Sequence, residues 1–316
     1  MLKRIFSLGL LPVSAAVILR AFQYYPADTF SPVPPEYYER VINTLITLFL
    51  LTWFMGAVNK SFAKWWNSKA PLITLGIFII LLWDFFTSKT GRLPLPYFPG
   101  PDRVIAVFVE DQTILVKSVF SSVRLMVLGF LIGSAAGIAS GSLLGWSAKV
   151  SYWLSPVVRI FGPVPATAWI PVCMIIFPNS FQAGVFLVAL AVWFPVTLMT
   201  ASGIYNVPKS YYEAAAVLGT DSGRQFFRVA VPAALPAVFT GQFMGVSASF
   251  LVLITAEMTG SSSGLGWYIV WSIGWAAYAK MYASLLISAV IFSGAIKVLF
   301  LFRDRLMSWQ PSTVRW

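Results

Sequence analysis

From Ile160 to Pro208 the chain carries no Asp, Glu, Lys or Arg. A helix needs roughly 20 residues to cross the hydrocarbon of a bilayer, so this run is long enough for two crossings, folded back at Pro178-Asn179. The rest of the chain agrees. Of its 316 residues, 58% are hydrophobic and only 10% are charged, and the mean hydropathy is +0.79. A soluble domain carries about 25% charged residues. The chain reads as an all-α polytopic membrane protein.

Further uncharged runs place the other spans. Ile5–Leu19 is the weakest and reaches Phe22 only by including Arg20, whose long side chain can snorkel. Its positive start and apolar run resemble a cleavable signal. With no small-x-small site ahead of a soluble domain, a retained first helix is the expectation. Val41–Asn59, Ala70–Ser88 (interrupted by Asp84), Leu125–Ala148, Val229–Ala256 and Met281–Phe302 (with Lys297) complete eight spans. Tyr25–Tyr38, with four prolines, reads as a short external connection.

Met258–Ala279 is long enough for a ninth span, and charge parity decides against it. Cytosolic loops hold the Lys and Arg excess. With eight spans and the N-terminus inside, the inner segments collect Lys3, Arg4, Lys60, Lys64, Lys69, Lys149, Lys209, Arg224, Arg228, Arg303, Arg305 and Arg315. The outer segments collect Asp28, Glu36, Glu39, Asp102, Glu110, Asp111 and Glu257. A ninth span would put the last three arginines outside. Gly260-Ser-Ser-Ser-Gly-Leu-Gly266 suits a turn before a short interfacial or re-entrant helix, whose Trp267, Tyr268, Trp271 and Trp275 favour the membrane–water boundary.

Composition also excludes functions. There is no histidine, so the commonest general base and metal ligand is missing. The single cysteine, Cys173, permits neither an intrachain disulfide nor a cysteine-built metal site. The net charge of +11 lies mainly in short loops, where it orients helices; no nucleic-acid partner is expected. No Gly-x-x-x-x-Gly-Lys-Ser/Thr loop occurs, so the chain itself is not expected to hydrolyse ATP.

Between two very apolar stretches lies the segment Tyr211-Tyr-Glu-Ala-Ala-Ala-Val-Leu-Gly219, followed by Val229-Ala-Val-Pro-Ala-Ala-Leu-Pro236. Ser210 and Glu213 stand at capping-box spacing. Three alanines give a helix face with little bulk, and Gly219 can end it in the left-handed conformation. Thr220-Asp221 can cap a second short helix through Phe226-Phe227, with Pro232 as its stop. The spaced pattern of Glu213-Ala214-Ala215, Gly219 and Val229-x-Val-Pro232 resembles the "EAA" coupling loop of importer-type ABC permeases. In that family a cytosolic helical hook sits in a cleft of the ATPase subunit.

From about Pro71 to Trp316 the chain is similar to the nitrate/sulfonate/bicarbonate (taurine-type) permeases of the type I ABC importers. The stretches that carry the likeness are Pro99-Gly-Pro-Asp-Arg-Val104, Ser121-Ser-Val-Arg-Leu125 with Gly129-Phe130, and Pro163-Val-Pro-Ala-Thr-Ala-Trp-Ile-Pro171. Phe194-Pro195 and Thr255-Ala-Glu-Met-Thr-Gly-Ser-Ser-Ser-Gly-Leu-Gly266 extend it. The resemblance implies a six-helix, MetI-like permease core over residues 71–316, with a coupling loop at 206–228. Residues 1–70 fall outside it and add an accessory helical pair. It further implies a second permease copy (homodimer or pseudo-symmetric pair), two ATPase subunits and an extracytoplasmic substrate-binding protein. No cofactor would be bound by this chain; ATP and magnesium would sit on the partner ATPase. The site would be the bacterial inner membrane, with both termini cytosolic. Oxyanions such as nitrate or sulfonates are the family expectation, although relatives also carry amines, pyrimidine precursors and other small organics.

Candidate pathway residues follow from the spans. Pro163, Pro165 and Pro171 interrupt one helix, which points either to a structural kink or to a pathway lining with Thr167, Trp169 and Cys173. Glu257, before the glycine-serine turn, is either a gate element bonded to that turn or a solvated interfacial group. Gly129, Gly133, Gly137, Gly141 and Gly145 recur every fourth residue and strip one helix face for close packing or for sliding during gating. The alternative function is an ion-coupled secondary transporter, which would place carboxylates at the midplane; Asp84 and Glu257 lie near span ends.

Overall fold

A computed structural model describes residues 9–25 and 36–309. The expected charges at Lys3, Arg4, Asp28 and Arg315, and most of the Tyr25–Tyr38 connection, lie outside these residues. The described residues are mostly helical, with no strand among them. They fall into two compact units, one comprising residues up to Thr113 together with Trp271–Ala283, the other Ile114–Val270 and Ser284 onward.

The first unit is built on α1 (Leu11–Phe22), α2 (Glu36–Val58) and α3 (Lys60–Asp84), with α4 (Pro101–Glu110) beside them. Ala16 and Leu19 of α1, Tyr38 and Ile42 of α2 and Ile77 of α3 form its buried apolar centre, with Ile105 of α4 packed on it. Arg20 pairs with Glu39 at 2.9 Å, tying α1 to α2. Asn59 starts α3 by accepting the amides of Ser61 and Phe62 on its side chain, as an N-cap does. Lys64 and Lys69 are therefore helical, not loop, and Ala70 lies inside a continuous helix. A π-turn, Phe85–Lys89, extends α3. Asp84 is buried, and Gln23 donates to its carboxylate at 2.7 Å.

The second unit is organised around α8 (Ser180–Tyr205), which begins at Asn179, whose side chain accepts the Gln182 amide. Leu187, Val188, Val192 and Val196 of α8 are fully buried. On one side lies α5 (Gln112–Trp146), whose glycine row faces α8. A Cβ on Gly129 would come within 3.0 Å of Val185 O, on Gly137 within 2.7 Å of Val196 Cβ, and on Gly141 within 2.5 Å of Thr197 O. Gly133 fits the same way against Ala189 O, and Gly145 against Ala201 O. On another side lies α11 (Val231–Gly260), where Gly241 and Gly245 do the same against Val196 and Val192. Backbones meet this closely only where side chains are absent, so α8 is gripped by glycines from two neighbours. The row on α5 is thus a packing seam.

Between α5 and α8 the chain makes α6 (Ala148–Phe161), a 3₁₀ turn (Ala166–Trp169) and α7 (Ile170–Ile176). The two arms bend by 84°. Three prolines account for the break: Pro163 and Pro165 lie between the arms, and Pro171 sits in the first turn of α7, where its missing N–H costs nothing. At the corner, any side chain on Gly162 would overlap the Phe194 ring.

After α8 come α9 (Lys209–Val217), α10 (Ser222–Gln225), a π-turn (Phe226–Ala230) and then α11 without interruption. Beyond α11 a turn over 260–266 leads into α12 (Leu265–Gly274), and α13 (Tyr278–Leu306) completes the described fold. The short helix after the glycine-serine turn is as expected.

Five helices are long and apolar enough to cross a membrane, or six if the bent α6–α7 pair counts as one. The count of eight is not reached by this criterion. Of the first expected span, the described helix α1 has 12 residues, about 18 Å at 1.5 Å per residue and short of the hydrocarbon. Helix α2 has 23 residues but carries Glu36, Glu39 and Arg40 in its first turns. The span expected over Leu125–Ala148 is the second half of a 35-residue helix that begins at Gln112.

Candidate functional site

The Glu-Ala-Ala segment forms a hook, and its capping differs from the expectation. Helix α9 starts two residues early: Pro208 stands at the N-cap with φ −58° and ψ 135°, and no side chain caps the first turn. Proline's fixed φ makes it a competent starter, so Ser210 and Glu213 are not a capping box. Gly219 does end the helix with φ +75°, the left-handed conformation that suits glycine. Asp221 is the N-cap of α10, but its carboxylate pairs with Arg224 at 3.4 Å instead of capping an amide. Pro232 does not stop this helix. It directly follows the π-turn, inside a helical run that continues from Ser222 to Gly260.

The hook has two faces. Its inner face is fixed by aromatics: Trp146, the last residue of α5, packs against Tyr212 at 5.8 Å and Phe226 at 5.2 Å between ring centroids. Ile204, Ala230 and Ala234 complete this cluster. Burial pushes the Tyr212 phenol above its ordinary range. Ala215 is buried within the loop. The outer face carries Glu213, Ala214, Ala216, Val217 and Leu218, all exposed. Val217 is 88% exposed, Leu218 82% and Phe227 72%. These side chains leave an apolar tip on the exposed side of the hook.

A second constellation sits at the other end of α11. Glu257, for which bonding to the turn and interfacial solvation were the two expectations, is 1% exposed. Its carboxylate accepts the Ser122 hydroxyl, at 2.7 and 2.8 Å to its two oxygens, and the Gly266 amide at 2.9 Å. The Leu265 amide donates to Ser122 Oγ at 2.8 Å. Gly264 takes φ +117°, and a Cβ there would collide with the carboxylate. The sequence suggested bonding to the turn; Ser122 was not foreseen.

The remaining candidates are placed apart from the hook. Thr167 and Trp169 lie on the 3₁₀ turn of the broken segment, half-buried, with Trp169 packed on Phe161 at 5.9 Å. Cys173 is buried in the apolar core with Leu125, Leu187 and Val252. Arg124 lays its guanidinium over the Phe181 ring at 4.8 Å. No cluster of three potential metal ligands occurs among the described residues.

Residues 129–309 match the family model of the binding-protein-dependent transport system inner membrane component. The chain belongs to this family. The permease is 30% identical over 266 residues to the bicarbonate transport system permease protein CmpB of Synechococcus elongatus, covering 78% of this chain and 91% of that one. It is 33% identical over 138 residues to the nitrate import permease protein NrtB of Leptolyngbya laminosa, covering 44% and 50%. An inward-facing structure of the MetNI methionine ABC transporter aligns with a TM-score of 0.51 and 19% identity, over 62% of this chain and 95% of that chain. That likeness shows the fold, a MetI-like importer permease. The chain is a multi-pass permease subunit of an ABC importer and not an enzyme. The family match favours this over the ion-coupled alternative.

Proposed function

We propose that this chain forms the membrane pathway of an ATP-driven importer for a small oxyanion of the nitrate or bicarbonate class, and that residues 206–228 couple it to separate ATPase subunits. The observation that carries the coupling role is the hook with an aromatic-pinned inner face and an exposed apolar outer face. In this reading Glu213, Ala214, Val217 and Leu218 enter the groove of the ATPase, which holds the ATP and magnesium. Gly219 and Pro232 shape the turn and the return into α11.

Two copies of the permease enclose one pathway, and an external binding protein delivers the solute. Both termini are cytosolic in an eight-span arrangement, and residues 1–70 form an accessory pair beside the 71–316 core. The broken segment with Thr167, Trp169 and Cys173 is the candidate pathway element, and the Glu257 end of α11 faces outward. The oxyanion class rests on the relatives CmpB, named as a bicarbonate permease, and NrtB, named as a nitrate permease.

The test is reconstitution in liposomes with a co-expressed ATPase and binding protein. Uptake of labelled nitrate or bicarbonate, with ATP hydrolysis stimulated by the loaded binding protein, is the expected result. Hydrolysis unaffected by the binding protein, with no uptake of either anion, overturns it.

A further inference from the structure

Helix α5 and the 260–266 turn both donate to the carboxylate of Glu257 on α11, and α13 is bonded to the same turn. Helix α5 contributes Ser122, whose hydroxyl donates to the carboxylate while its oxygen accepts the Leu265 amide. The turn contributes the Gly266 amide. Helix α11 carries Glu257 itself, and α13 reaches the same turn through Ser284, which donates to Leu265 O at 3.1 Å. At the rim, Ser121 Oγ of α5 lies 2.9 Å from Ser263 Oγ of the turn.

The packing is as tight as the bonding. A Cβ on Gly264 would collide with the Glu257 carboxylate, and one on Gly266 would come within 2.8 Å of Glu257 Cβ. Separating α5 from α11 here would strip a buried carboxylate of its donors. A buried polar group left without its partners costs more than an ordinary hydrogen bond contributes, and this cost would recur in every cycle.

We propose that Glu257 is a positioning residue that braces α5, α11 and the 260–266 turn into one rigid block, which keeps its internal geometry throughout the transport cycle. Access then alternates by movement of this block as a whole, or at the 84° break between α6 and α7, and not by opening of the turn. The inference deepens the permease reading, on which it rests.

The experiment uses the assembled transporter carrying Cys173→Ser, Ser121→Cys and Ser263→Cys. Ser121 Oγ and Ser263 Oγ lie 2.9 Å apart, so cysteines at these positions bring two thiols together. Rapid oxidative crosslinking is expected, at the same rate without nucleotide, with ATP and after vanadate trapping. Uptake by the crosslinked protein should stay within about twofold of the reduced protein. A crosslinking rate that changes tenfold between nucleotide states overturns the brace. So does uptake that is lost on oxidation and recovered with reductant, or a failure to crosslink in every state. If the reduced protein shows no ATP-driven uptake at all, the permease reading is at fault, and the crosslinking rates still judge the brace.

Discussion

The carbonyl of Ala215 accepts both the hydroxyl and the amide of Thr220, at 2.6 and 3.2 Å. This pair closes the hook around Gly219 and turns Ala215 inward, although its neighbours in the Ala214-Ala215-Ala216 run are exposed. The small face expected to meet a partner is therefore divided, with the middle alanine serving the loop itself.

Arginine substitutions separate the two faces. Ala214→Arg should leave the hook folded, because the position is exposed, yet reduce ATPase co-purification and coupled hydrolysis by tenfold or more. Ala215→Arg would have to bury a charge or unfold the loop, at a cost of about 3–5 kcal/mol. Limited proteolysis between Lys209 and Arg228 should show new cleavage for Ala215→Arg only. Equal cleavage of both variants would contradict the division.

At Gly219 the surroundings are empty: nothing lies within 4 Å of an added Cβ. Any effect of substitution must come from the backbone. Gly219→Val should cost about 1–2 kcal/mol through the left-handed conformation, while Gly219→Asn, which tolerates that region, should be nearly silent. Thermal unfolding and ATPase co-purification of the two variants would check the ranking, and equal effects of Val and Asn would contradict a backbone origin.

Two glycines in the α5–α8 seam make opposite predictions. A Cβ at Gly133 meets the backbone of Ala189, which cannot yield without moving α8. A Cβ at Gly184 meets only the tip of Leu125, at 2.8 Å, with its next neighbours at 3.6 Å. Gly133→Ala should destabilise by about 1–3 kcal/mol through overpacking. Gly184→Ala should cost much less. Detergent-solubilised melting curves would show the difference, and equal shifts would refute the seam geometry.

Orientation has its own check. In a Cys173→Ser background, cysteines at Lys64 and Asp304 should be shielded from an impermeant thiol reagent in intact cells. One at Glu110 should react. Labelling of Asp304→Cys from outside would invert the proposed topology.

The sequence carried the parts of this fold that depend on composition and on local backbone rules. The uncharged stretch around α8, the proline break at Pro163–Pro171 and the left-handed turn at Gly219 were all legible, because each follows from residue type alone. The ends of the helices were not. Gln112–Phe120 of α5 carries polar groups that look like a loop outside a bilayer, although the helix runs through them. Pro208 and Pro232 were ambiguous because proline both starts and stops helices. The partners of the glycines were invisible too, since spacing on α5 says nothing of which helix fills the groove. Gly241 and Gly245, only two residues, gave too short a row to notice. Burial of Glu257 depends on Ser122, 135 residues away, and no local pattern encodes that.

The π-turn at Phe226–Ala230 has a consequence for how force would pass along this chain. A π-turn holds one residue more than an α-turn, and each residue of an α-helix advances the rotation by about 100°. The bearing of the hook around the axis of α11 is thus set by a single surplus residue. Removing one residue from that turn would leave a continuous helix of nearly the same composition, but swing the hook about a quarter-turn around the axis of α11.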